Sequence, residues 1–118
     1  MSLLHRLHHM KFSSVRLSKR SLRFLWQQLT RGWDDSETWS LDYSLGKIIA
    51  PRLKRFKEVQ GGYPSDLTEQ EWAKKIDKMI AAFEFAGSEA RWNAGPEEYD
   101  KHQKGIELFA ENFFGLWW

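Results

Sequence analysis

The chain contains no cysteine. That absence excludes a disulfide framework, thiolate metal sites and a thiol nucleophile, and it fits an intracellular setting. Long apolar runs are missing too: no stretch approaches the roughly 18 residues that would span a bilayer, and no secretory apolar segment follows Met1. Alternating β-branched runs, internal repeats and low-complexity segments are absent, which removes the sequence basis for strands or a repeat array. The chain carries no Walker loop, dinucleotide fingerprint, nucleophile elbow or Cys-His array. An enzyme is therefore not expected, and no cofactor or metal is implied. Acid is lacking from the first 33 residues, which hold Arg6, Lys11, Arg16, Lys19, Arg20, Arg23 and Arg31, while all 16 acidic residues follow them. The net charge of +2 thus conceals a cationic arm and a mildly anionic body.

What is present is apolar and aromatic. With 42% apolar residues, seven Trp and eight Phe, 118 residues can build one modest core and leave some aromatic surface for a partner. The expected architecture is all-α. It is a small bundle of three to four helices over residues 18–118 with a kinked central helix, preceded by a basic arm at 1–17 whose apolar spacing gives no helix start. Ser18 caps a helix from about Lys19 to Thr30, with Leu22, Leu25, Trp26 and Leu29 on one face, and Gly32 ends it.

Next, Asp34 and Asp35 offer a cap and Glu37 a first-turn charge to a long helix, whose stripe Leu41, Leu45, Ile48, Ile49, Leu53, Phe56 and Val59 runs on towards Gly61-Gly62. Pro51 removes the amide that would bond Lys47, so the helix must bend or restart there, and Gly46 loosens it further. Thr68 and Glu71 form a capping box stapled by Leu67 and Trp72. Beyond them Trp72, Ile76, Met79, Ile80 and Phe83 face inward as far as Gly87. Pro96, with Glu97 and Glu98, starts a last helix that buries Tyr99, Ile106, Phe109, Phe113 and Leu116.

Several constellations could carry chemistry, and each has a plainer structural account. His5, His8 and His9 have helical metal-ligand spacing but lie in the arm without carboxylates. Glu98 and His102 stand four apart, yet a dinuclear bundle needs paired motifs, so a surface pair is the better reading. Asp34, Asp35 and Glu37 resemble a divalent-cation cluster, but helix capping already explains them. Asp42, beside the apolar stripe, would act as a core brace if buried.

Two features bear on function. At the end of the sequence, FAENFFGLWW places Phe113, Phe114, Leu116, Trp117 and Trp118 where one helix side cannot take them all. Either the tail folds over the core or it docks on a protein or a second copy of the chain, with Trp117, Trp118, Phe114 and the loop residue Trp92 as anchors. The alternative is nucleic-acid binding. Arg16, Lys19, Arg20 and Arg23 in and after the arm, with Arg52 and Arg55 on the long helix, would meet phosphates while Phe12, Phe24 and Trp26 stack on bases. The same arm could lie on an anionic membrane, although its helix is short.

The segments RGWDDSETWSLDYSLGKIIAPRLKRFKE, GGYPSDLTEQEWAKKIDKMIAAFEF and ELFAENFFGLWW together resemble a group of small uncharacterised proteins encoded by tailed bacteriophages. The resemblance covers roughly residues 31–118 and leaves out the arm. It implies a phage accessory or virion protein in the cytoplasm of a bacterial host, and hence no mitochondrial address. No catalytic residue comes with it. The expectation is a non-enzymatic protein that binds a host or phage protein, inhibition being one way it could act.

Overall fold

The structure is a computed structural model that describes residues 18–117. The arm at 1–17, including Arg16 and the three histidines, and the terminal Trp118 lie outside the described residues. Among the described residues there are four α-helices and no strand: α1 (Lys19–Arg31), α2 (Leu41–Val59), α3 (Glu69–Ala86) and α4 (Pro96–Glu111). Short 3-10 turns cover Asp35–Thr38, Glu89–Asn93 and Phe113–Gly115. The chain forms two compact units, Met1–Ser44 and Leu45–Trp118, whose boundary falls inside α2.

In the first unit, local signals act as expected. The Ser18 hydroxyl accepts from the Ser21 amide at 3.0 Å, and Gly32 at φ 83° ends α1 in the left-handed conformation that favours glycine. Asp34 and Glu37 do form a capping box, but they cap the 3-10 turn Asp35–Thr38 and not a long helix. α2 starts only at Leu41. Two glutamines bind this turn to α1. The Gln28 amide donates to Asp34 Oδ2 at 2.8 Å and to Glu37 Oε2 at 3.2 Å, while Gln27 exchanges two 2.8 Å bonds with the Asp35 side chain and amide. Asp34 is fully buried and also accepts from the Ser36 amide and hydroxyl. The Gln27 amide, followed by the Arg31 guanidinium at 2.7 Å, holds the Asp35 carboxyl below its ordinary pKa.

In the second unit α3 is the centre. Trp72, Ile76, Met79, Ile80, Ala82 and Phe83 are buried on it, whereas α2 buries Ala50 and Leu53. The inward face read from the sequence is therefore correct, with Ala82 added. Thr68 and Glu71 close their capping box at 3.0 and 3.1 Å, and the Thr68 backbone amide lowers the Glu71 pKa. α2 and α4 both run antiparallel to α3. Lys54 pairs with Glu84 and Lys57 with Asp77, while the Trp72 indole N–H donates to Gln60 Oε1 at 2.7 Å.

α2 runs from Leu41 to Val59 with Pro51 inside it, and it departs from expectation in two ways. Its stripe is buried only in the second half: Leu41, Leu45 and Ile48 are exposed. Gly46 is not a loosening residue but a seat. A Cβ there would stand 2.5 Å from both the Phe83 carbonyl oxygen and the Gly87 amide nitrogen, so α2 crosses the end of α3 backbone against backbone. Gly105 does the same for α4, where a Cβ would meet the Lys78 carbonyl oxygen and the Ala82 methyl at 2.6 Å. Both crossings are closer than side chains allow.

Candidate functional site

The sequence made the chain's last residues the first place to look for a partner surface. α4 ends at Asn112, whose side-chain amide donates to the Leu108 carbonyl at 2.9 Å, and the chain then turns through Phe113–Gly115. Four phenylalanines form a ladder of edge contacts from core to solvent. Phe83 meets Phe109 at 4.8 Å, Phe109 meets Phe113 at 5.4 Å, and Phe113 meets Phe114 at 5.4 Å between ring centroids. Leu116 packs on the core. The tail divides: Leu116 folds back, while Phe114 at 91% and Trp117 at 77% exposure stay in solvent.

Trp117 borders a groove of about 500 Å³, lined also by Gln60, Gly61, Gly62, Tyr63, Pro64, Trp72 and Gly115. Trp72 borders the groove from the core, 2% exposed, with its indole N–H given to Gln60. None of these described lining residues is charged, in a chain where 29% of residues are. Such a surface can bind an apolar or uncharged group, but apart from the Tyr63 hydroxyl it has nothing to move a proton or make a bond. The sequence pointed to Trp117 here and missed Tyr63, Pro64 and Trp72. An aromatic-proline pair directly after Gly61-Gly62 was the available signal.

Other proposed anchors lie elsewhere. Trp92 is exposed on the 3-10 turn Glu89–Asn93, with the Arg91 guanidinium 4.2 Å over its ring. That turn follows the far end of α3, an 18-residue helix about 27 Å long, so Trp92 does not share a surface with Trp117. A second depression, about 450 Å³, lies between α3 and α4 and is lined by Asp77, Lys78, Glu97, Asp100, Lys101 and His102 among others. His102 is not simply the surface partner of Glu98: its ring stacks on Phe85 at 4.2 Å. Burial, then Lys101, lowers the imidazole pKa, and Glu98 only partly opposes them. Among the described residues no group of three or more His, Asp or Glu could hold a metal ion.

The cations named for nucleic acid sit in different surroundings. Arg20 lies 4.2 Å over Trp39 and Arg23 5.5 Å over Phe24. Arg52 donates to the Ile48 carbonyl, and Arg55 pairs with Glu58 at 2.9 Å. Lys19 is exposed. Asp42, also exposed, accepts from Ser40 and from the Tyr43 amide at the start of α2 and is no core brace. No helix among the described residues is long and apolar enough to cross a membrane. No protein family, curated protein or solved structure matches the chain.

Proposed function

We propose that the protein is a non-enzymatic binding module that takes a partner protein at the groove beside Trp117. The observation that carries this reading is the pairing of two highly exposed aromatics, Phe114 and Trp117, with a groove whose described lining residues bear no charge. Aromatic anchors of this kind concentrate binding energy where water is excluded. The resemblance to phage proteins supports a host or phage protein as the partner, met in the bacterial cytoplasm, with inhibition as the consequence. It also supports a phage origin for the chain. A bend of α2 at Pro51, where the amide is missing, would set the direction in which the chain leaves for Gly61-Gly62.

Pull-down from phage-infected bacterial lysate, treated with nuclease, tests the reading with the parent chain and a Phe114→Ala, Trp117→Ala double variant. A partner retained by the parent and weakened about 30-fold or more by the double variant supports it, since one anchor is worth about 2 kcal/mol or more. Capture that vanishes with nuclease, or that the variant keeps, refutes it. The first of those outcomes would favour nucleic acid instead.

A further inference from the structure

α1 turns its apolar stripe away from the rest of its own unit. An amphipathic helix of a globular protein normally packs that stripe inward and leaves its polar face wet. Here the reverse holds: Phe24 and Gln28, one turn apart, are buried, while Leu22, Trp26 and Leu29 are 49%, 67% and 62% exposed. Their i, i+4, i+7 spacing aligns them along one side of the helix. Nothing in the first unit's polar knot uses that side, because Gln27, Gln28 and Arg31 all reach the other way, to Asp34, Asp35 and Glu37.

Charge selects the occupant. α1 carries Lys19, Arg20, Arg23 and Arg31 and no acid, and Lys19 and Arg23 border the stripe on Trp26's flank. An apolar groove on another protein would need the leucines but not that cationic border. A lipid surface needs both: Leu22 and Leu29 sink among acyl chains, the Trp26 indole sits at headgroup depth, and the two cations meet phosphates. The sequence before Ser18 adds Arg6, Lys11 and Arg16, again without acid, so the whole approach to α1 is cationic. We infer that α1 is an interfacial helix that docks the protein on an anionic membrane surface, independently of the groove at Trp117.

Cosedimentation of the full chain with phosphatidylcholine vesicles, with and without phosphatidylglycerol, tests this. Binding to the anionic vesicles at low salt should be about tenfold or more tighter than to neutral ones. It should fall by a similar factor for Trp26→Gln with Leu29→Gln, and for Lys19→Glu with Arg23→Glu. These positions are exposed, and unchanged helical circular dichroism confirms that each variant is folded. A second readout needs no loss of binding: brominated acyl chains should quench tryptophan emission in the parent chain, and Trp26→Phe should remove the largest share of that quenching. The inference is overturned by absence of vesicle binding at low salt, by equal binding to neutral vesicles, or by binding that survives the Trp26/Leu29 pair. It is equally overturned if sedimentation velocity shows self-association through this face with no vesicle binding, or if Trp26→Phe leaves the quenching unchanged.

Discussion

Replacing Gly46 by Ala sets two effects of opposite sign against each other in one helix. By helix propensity alone, Gly to Ala in a helix interior should stabilise α2 by about 1 kcal/mol. The packing says otherwise. The added methyl would stand 2.5 Å from the Phe83 carbonyl oxygen and the Gly87 amide nitrogen, and 2.9 Å from the Gly87 Cα. All three are backbone atoms, so no side chain can rotate out of the way and α2 must move off the end of α3. Overpacking costs about 1–3 kcal/mol where side chains can yield and more where they cannot. Setting about 3 kcal/mol against the propensity gain leaves a net loss of about 2 kcal/mol, or a fall in Tm of roughly 6–12 °C for a chain of this size. Thermal melts followed by far-ultraviolet circular dichroism measure it directly. Gly61→Ala is the control, because nothing lies within 4 Å of a Cβ there. A Gly46→Ala protein that melts at or above its parent would refute the close crossing. Gly105→Ala should lose stability for the same reason, at Lys78 and Ala82.

Two further outcomes follow from the polar groups. Gln28→Glu would put a third carboxylate against Asp34 and Glu37 and remove their shared donor, so amide exchange in residues 19–38 should accelerate about ten- to a hundredfold, matching the ~1–3 kcal/mol cost of a buried polar group losing its partner; exchange unchanged from the parent would mean the knot does not hold the turn. His102 binds its proton less readily in the folded chain than in the unfolded one, so its contribution to stability is complete above the ordinary imidazole pKa of 6.5 and is lost as the pH falls through the lowered folded value. Urea midpoints taken across that window should decline for the parent and decline less for His102→Gln; parallel curves would contradict the lowered imidazole pKa.

The sequence and the structure agree where a signal is local and chemical. Ser18, Thr68 with Glu71, and Pro96 each mark the helix start they were read as marking, because a cap is satisfied within four residues and needs no knowledge of the fold. The inward face of α3 was legible for a similar reason, since 3.6-residue periodicity survives when a helix is covered on both sides. Gly46 and Gly105 were not legible. A glycine read along the chain looks like flexibility, and only the partner backbone shows it to be a seat. The acids at Asp34, Asp35 and Glu37 were rightly taken as capping groups but assigned to the wrong element, because Gln27 and Gln28 draw them into a separate 3-10 turn. Trp72 is core, as its place in the inward stripe suggests, and that it lines one groove with Tyr63 and Trp117 becomes visible only once the loop and the tail are brought beside it.

The two glycine seats also set how the second unit moves. The Gly46 seat lies at the end of α3, on Phe83 and Gly87, and the Gly105 seat about a turn earlier, on Lys78 and Ala82, where each brings a neighbouring helix down to backbone contact. Toward the start of α3 the contact is made by side chains instead, Trp72 giving its indole N–H to Gln60. Side chains change rotamer far more easily than helices change separation, so compliance should rise steadily along α3 from the pinned end to the groove. Opening and closing of the Tyr63–Trp117 cleft can then proceed without disturbing the crossings at the other end.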